Sequence, residues 1–190
     1  MLGFHTDGVY MIGASDTLAA KLKSRKILTA NTITGNTLVF AVNHTDMIRK
    51  RFYALSFSTA EMPWFICTVG DFPAPSDNCL RFAYEDDLAD FITAIYYASH
   101  GFLHLDFELA ALKNKLTAQK ERHIHAFAEE SFHQIPKDAF VACFCFADGG
   151  FMESDRLFSK LTKECGMNMG EVMLMGSFDS KYTFIRAFVV

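Results

Sequence analysis

No stretch of this 190-residue sequence is apolar for long enough to cross a bilayer as a helix. The longest strongly apolar run, Ala139 to Ala147, falls well short of the roughly 20 residues a span requires. The N-terminus lacks a basic region followed by a long apolar segment, so no secretory signal is expected and the sequon Asn43-His44-Thr45 carries little meaning. Positive charge is also scarce. With a net charge of -4, the chain has no general attraction to phosphate backbones. The one basic segment, Lys21 to Lys26, is short and interrupted and reads as a solvated turn. Neither a nucleic acid nor a membrane is therefore an expected partner. There is no CxxC pair, and the five cysteines are an odd number, so no pairing scheme uses them all. Buried, reduced thiols in a cytoplasmic protein are the expectation.

What is abundant is apolar and aromatic. Hydrophobic residues make up 51% of the chain, enough to offset the entropy of ordering it, and 20 phenylalanines suit packing between layers of sheet and helix. The length fits a single domain, residues 1–190.

The stretch from Asp7 to Phe52 sets the architecture. Asp7-Gly8 and Gly35-Asn36 are turn pairs, and apolar runs flank them: Val9-Tyr10-Met11-Ile12, Ile27 to Ile33, and Leu38-Val39-Phe40-Ala41-Val42. This pattern predicts two hairpins, Leu2–His5 with Val9–Ile12 and the strands around Gly35-Asn36, followed by a helix capped by Asn43 or Thr45. Tyr53 to Phe57 fits either helix or strand. Met62 to Val69 predicts a buried strand starting after Pro63, and Gly70 to Asn78, with Pro73 and Pro75, predicts a loop.

Glu85-Asp86-Asp87 opens a helix whose positive end favours carboxylates, and Leu88, Phe91, Ile92 and Ile95 trace its apolar face up to Gly101. A leucine stripe (Leu105, Leu109, Leu112, Leu116) predicts a longer helix from Asp106 to Phe132. Phe140 to Phe146 reads as a central strand that puts Cys143 and Cys145 on one face, ended by Asp148-Gly149-Gly150. Ser154 is expected to cap a short helix stopping at Gly166, and a hairpin of Val172–Phe178 with Tyr182–Val190 closes the chain.

Chemistry-bearing patterns are sparse. His100, His104 and Asp106, followed by His123, His125 and His133, invite a metal centre. On the expected helices, however, Gly101 breaks the first group, and His123 and His125 point in divergent directions. No metal and no cofactor is expected. Cys67 or Cys79 beside a histidine would make a thiol nucleophile, but no surrounding motif supports one. Asp148-Gly149-Gly150 has no Lys-Ser/Thr pair after it and reads as a turn, not a phosphate loop.

The runs Gly8 to Asp16, Lys26-Ile27 and Gly35 to Val42 into Thr45-Asp46-Met47 resemble the N-terminal part of proteasome β subunits, members of the N-terminal-nucleophile (Ntn) hydrolases. The resemblance covers the first 52 residues. It implies an α+β layered sandwich of antiparallel sheets and helices, with Asp16 and Lys26 at family-like catalytic positions and Arg25 as a rival for the second. Ser177, in Met175-Gly176-Ser177, matches the family's late glycine-serine segment, although Phe178 stands where another small residue belongs. The family's nucleophile is the first residue of the mature chain, its own amine serving as base, and counting back from Asp16 finds no residue in that place. The resemblance thus implies a proteasome-β-like protein without its nucleophile, which acts through homo-oligomeric assembly or by binding an unidentified small molecule or peptide. The alternatives are an active hydrolase, through a processed terminal residue or a His-centred metal site, and an unrelated partner-binding α+β domain.

Overall fold

The structure, a computed structural model, describes residues 9–12, 15–27, 29–30, 39–42, 65–70, 79–100, 109–118, 123–148, 150–166, 172–177 and 179–190. Helices and sheets occur together, as an α+β chain requires. The first sheet contains β1 (Val9–Ile12), β2 (Thr29–Ala30), β3 (Val39–Val42), β4 (Phe65–Val69) and β5 (Cys79–Phe82) in the order β2-β1-β3-β4-β5. Every pairing in it is parallel. The hairpin expected around Gly35-Asn36 is therefore corrected. β2 and β3, on either side of Gly35-Asn36, each pair with β1 and not with one another, while Leu2–His5 lies outside the described residues. The antiparallel layering implied by the resemblance is likewise not the arrangement of this sheet. A parallel sheet is normally covered on both faces, which explains why Phe65-Ile66-Cys67-Thr68-Val69 is an unbroken buried run and not an alternating one.

Parallel neighbours need a crossover, and helix α1 (Asp16–Ser24) supplies it between β1 and β2. The Ser15 hydroxyl accepts from the Leu18 amide at 3.0 Å, Asp16 occupies the first turn, and Lys21 and Lys23 occupy the last. Only Leu18 and Leu22, one turn apart, are buried on it. The expected solvated turn is thus largely a helix. Helix α2 (Glu85–His100) falls where the apolar face predicted it, and it runs alongside α1. The expected helix from Thr45, the segment Tyr53 to Phe57 and most of the Gly70–Asn78 loop lie outside the described residues.

Leucine periodicity overextends the next helix. Among the described residues it is α3 (Leu109–Thr117), with Leu112 and Leu116 buried, and the chain from His123 to Ala128 is extended where a helix to Phe132 is expected. Ile124 then bridges to Phe82, its amide donating to the Arg81 carbonyl at 2.7 Å, and the chain continues as β6 (His125–Ala128). A 3-10 turn (Glu129–Gln134) leads to β7 (Val141–Asp148), helix α4 (Gly150–Ser159) with a π-helical turn (Lys160–Glu164), β8 (Val172–Ser177) and β9 (Asp179–Val189). Ser154 does not cap α4; it is buried one turn inside it. The second sheet has the order β6-β9-β7-β8, with β8 parallel to β7 and β9 antiparallel to both β7 and β6. The expected C-terminal hairpin is corrected as well, because β7 lies between β8 and β9.

Helix α2 lies between the two sheets, and Leu18 and Leu22 of α1 join the same core. Phe91 of α2 meets Phe65 and Phe82 of the first sheet at 5.4 and 5.2 Å between ring centroids, and Phe188 of the second at 5.4 Å. Such edge and tilted contacts are favoured by the ring quadrupole. Along β7, Ala142, Phe144 and Phe146 join this inner core, while Val141, Cys143, Cys145 and Ala147 pack outward with Leu157 and Leu161. Cys143 and Cys145 do share a face. On the outer side, Arg156 bonds both Glu129 and Glu153, and Lys160 reaches Glu129 at 3.1 Å. Among the described residues no helix is long and apolar enough to cross a membrane.

Two measurements check this account. A Cβ on Gly176 would collide with the Cys145 carbonyl on the neighbouring strand, so Gly176→Ala is expected to destabilise the protein by on the order of 3 kcal/mol in urea unfolding. The hydrogen bond from Arg156 holds the Glu129 carboxyl down at about 2, against an ordinary 4.5. Its stabilisation is therefore complete above the unfolded value and is lost as the pH falls toward 2. Because water still reaches this network, Glu129→Gln should cost on the order of 1 kcal/mol at pH 7, with the difference from the parent vanishing near pH 2.

Candidate functional site

Helices α1 and α2 both start at the carboxyl edge of the first sheet and run toward its amino edge. Polar contacts tie them along their length. The Ser15 hydroxyl donates to Glu85 at 2.5 Å, Lys21 bonds Asp86 at 2.7 Å, and Arg25 bonds Asp90 at 2.7 Å. The Lys21 contact holds the Asp86 carboxyl below its ordinary range, although Asp86 is largely exposed.

At the amino edge these contacts become a charged cluster. Asp90 is buried within α2 and shares its carboxylate between Arg25, at the end of α1, and Arg186 of β9, which reaches it at 2.6 Å. A second Arg25 nitrogen bonds the Thr93 hydroxyl at 2.7 Å and the Ala89 carbonyl at 3.2 Å, and the Tyr97 hydroxyl donates to the Arg25 carbonyl at 3.3 Å. Arg186 also lies over the Phe184 ring, 5.4 Å from its centroid. Beside this cluster is an open cleft of about 310 Å³ lined by Arg25, Lys26, Thr93, Tyr97, Phe184 and Arg186 among others. Guanidinium forks and an ammonium brought together from α1 and β9 suit carboxylate or phosphate oxygens.

Lys26 holds an unusual backbone. Its amide donates to the Lys23 carbonyl at 3.0 Å and the Ile27 amide to the Leu22 carbonyl at 3.1 Å, which closes α1 with a Schellman turn. The residue in the left-handed position of that turn is commonly glycine, and here it is Lys26, with φ 58. A side chain there costs on the order of 1 kcal/mol relative to glycine.

The residues singled out in the sequence do not converge. Asp16 opens α1 at the carboxyl edge of the sheet and Lys26 follows its other end, roughly 15 Å away at 1.5 Å per helical residue. Ser177 ends β8, paired with Phe146, which in turn pairs with Phe184 of the cleft wall, so Ser177 stands two strands, roughly 10 Å, from that wall. Of the three, only Lys26 borders the cleft, with its rival Arg25 beside it. Asp90 and Arg186 were not recognised in the sequence. The available signal was an acidic residue beside the apolar face of a predicted helix, with Thr93 and Tyr97 on the same stripe.

The cysteines are unsuited to nucleophilic work. All five are free and buried. Burial pushes the Cys67 thiol well above its ordinary value, Cys79 to about 11 and Cys145 to about 12, so little thiolate exists near neutral pH.

His123 and His125 are also corrected. They flank Ile124 on extended chain, so they share a face instead of diverging, and both line a depression of about 450 Å³ with Gln134 and Asp138. The His125 ring lies 3.5 Å from Asp87, whose carboxyl is raised by burial. Among the described residues no three His, Cys, Asp or Glu side chains are grouped to hold a metal. His104 lies outside the described residues.

Comparison with protein-family models, curated proteins and solved structures gives no match.

Asp90 is expected to be the most sensitive position of the cluster. Asp90→Ala leaves two partly buried guanidinium groups without their carboxylate and should cost about 3 kcal/mol in urea unfolding. Adding Arg25→Met and Arg186→Met to Asp90→Leu should recover much of that loss. Equal losses in the single and triple variants would show that charge neutralisation is not the reason for the cluster.

Proposed function

We propose that this protein is a binding domain that takes an anionic ligand in the cleft between α1, α2 and β9, and that it does not act as a peptidase. The observation that carries the reading is the convergence of Arg25, Lys26 and Arg186 on one accessible cleft, beside the carboxylate of Asp90 that Arg25 and Arg186 share. Small-molecule sites of this kind use a few placed polar groups to fix orientation beside apolar walls, a part Phe184 and Tyr97 play here.

The proteasome-β-like reading contributes to the proposal in its functional part, a chain without its terminal nucleophile acting through binding and assembly. Its support is that β1 and β3 are neighbours in one sheet and that helix α2 packs against both sheets. The parallel strands of the first sheet count against the Ntn layering, so the binding reading does not depend on it. Assembly belongs to the same proposal. It is supported by β8, which ends its sheet among the described residues and carries the half-buried Met173 and Leu174, an edge able to pair with a second copy. A cytoplasmic setting is proposed from five buried cysteines that form no disulfide.

Calorimetric titration at low salt with acetate, sulfate and inorganic phosphate tests the binding reading. Saturable binding of at least one anion, weakening as salt rises, is expected. No saturation by any of the three up to ~10 mM, at which binding contributes under 3 kcal/mol, overturns it. Sedimentation at micromolar concentration should show a species heavier than the 21.4 kDa chain, and a strict monomer would remove the assembly half.

A further inference from the structure

We infer that Arg81, with the Thr68 hydroxyl beside it, forms a second binding site that takes the carboxylate of a small organic acid. The site lies on the face of the first sheet turned away from α2. It is separate from the cleft and does not rest on the reading of that cleft.

The alternation of β4 and β5 puts these side chains together. Phe65, Cys67 and Val69 of β4 and Leu80 and Phe82 of β5 join the core that contains α2, so Thr68, Cys79 and Arg81 point to the opposite face. Thr68 and Arg81 are register partners on strands about 4.8 Å apart, which sets them side by side. That face is not open surface, since Thr68 is fully buried and Ile66 and Cys79 are buried with it. Arg81 is half-buried. Its Nε is out of reach of solvent and has no hydrogen-bond partner, the one such side-chain nitrogen or oxygen among the described residues. A buried donor on a charged group is costly to leave unmade, so it marks a place where an acceptor is brought from outside.

No neighbour among the described residues supplies the counter-charge. Burial holds the Cys79 thiol up at about 11, against the pull of its Thr68 bond and of the Arg81 charge, so it stays neutral. The Thr68 hydroxyl accepts from that thiol at 3.6 Å, which leaves its own proton to give. The acidic start of α2 is engaged elsewhere: Glu85 with Ser15, Asp86 with Lys21, and Asp87 with His125 and the Ala126 amide. What remains is one cation with an open donor and one hydroxyl proton. Both stand near the C-terminal ends of parallel strands, where open parallel sheets gather their ligands. A single positive charge suits a monoanion. The Nε–H and the adjoining Nη–H of a guanidinium form a fork that matches the two oxygens of a carboxylate, and the hydroxyl adds a third bond.

The test uses acetate as probe at constant ionic strength, read by the NMR signal of the Arg81 Nε–H. That signal is identified as the arginine side-chain signal missing from Arg81→Lys. A saturable downfield shift is expected in the parent protein as the proton gains a carboxylate acceptor. Arg81→Lys keeps the charge without the fork and should weaken acetate binding about tenfold, followed on the Thr68 backbone amide. Thr68→Val removes the hydroxyl at nearly constant shape and should weaken it about threefold. The shift should persist when Asp90→Leu, Arg25→Met and Arg186→Met together strip the cleft of its guanidinium groups. An Nε–H signal unmoved up to ~100 mM acetate overturns the inference, because the place is then dry or held by water. Saturation by inorganic phosphate without any response to acetate overturns the carboxylate assignment. Equal affinity in Arg81→Lys, or loss of the shift in the triple variant, puts the anion elsewhere and overturns the role of Arg81.

Discussion

A carboxylate placed between two sheets must be neutralised where it stands, and Asp90 imposes that requirement on the rest of the molecule. Its neighbour Phe91 is the ring that joins the two sheets, so α2 cannot turn to bring Asp90 to water without withdrawing Phe91 from the core. The charge must therefore be met from outside the helix. Arg25 meets it from the end of α1 and Arg186 from the middle of β9, across 65 and 96 residues of sequence. Three elements are fixed relative to one another by one acidic side chain. Alternative helix orientations are penalised more heavily than an all-apolar core would penalise them, because each would strand a charge.

The same geometry shows what could be read from the sequence. Elements written in local composition were legible. The acidic start and apolar face of α2 gave Glu85–His100, and the apolar runs gave β4, β7, β8 and β9 with small errors at the ends. Strand direction was not legible, because nothing in Val9–Ile12 states whether its partner comes from an adjacent turn or across a helix. Gly35-Asn36 is a sound hairpin signal, yet both strands beside it pair with β1. Helix α1 was missed because only Leu18 and Leu22 mark its apolar face, although Ser15, Asp16, Lys21 and Lys23 form a start and stop pattern. The opposite error occurred after Leu116, where a charged and histidine-rich stretch kept a helical reading past the bridge of Ile124 to Phe82. The cleft was legible least of all. Lys26 was singled out for a resemblance, and its partners lie on elements whose proximity is a tertiary fact.

Buried charge and backbone strain meet within two residues at the end of α1. Arg25 is committed to the interior, and Lys26, next in sequence, is turned out on a backbone better suited to glycine. The Schellman closure explains how this is tolerated: Ile27 enters the core directly after Lys26 and holds the turn. Local cost and tertiary anchoring are thus adjacent, and the anchoring keeps the costly conformation populated.

The strand order of the second sheet bears on the sequence of events as the chain is made. β6 and β7 are not neighbours; β9, the latest of the described strands to emerge, lies between them and bonds to both. Until it arrives, the facing edges of β6 and β7 have no partner, and Phe91 lacks the Phe188 ring that completes its packing. Arg186 arrives on that same strand, so Asp90 also waits with only Arg25. The first sheet has all its described strands by residue 82, but the inner core it shares with the second cannot close while the nascent chain is shorter than β9. During that interval the unpaired strand edges and the half-neutralised carboxylate are the features of the growing chain most open to wrong association.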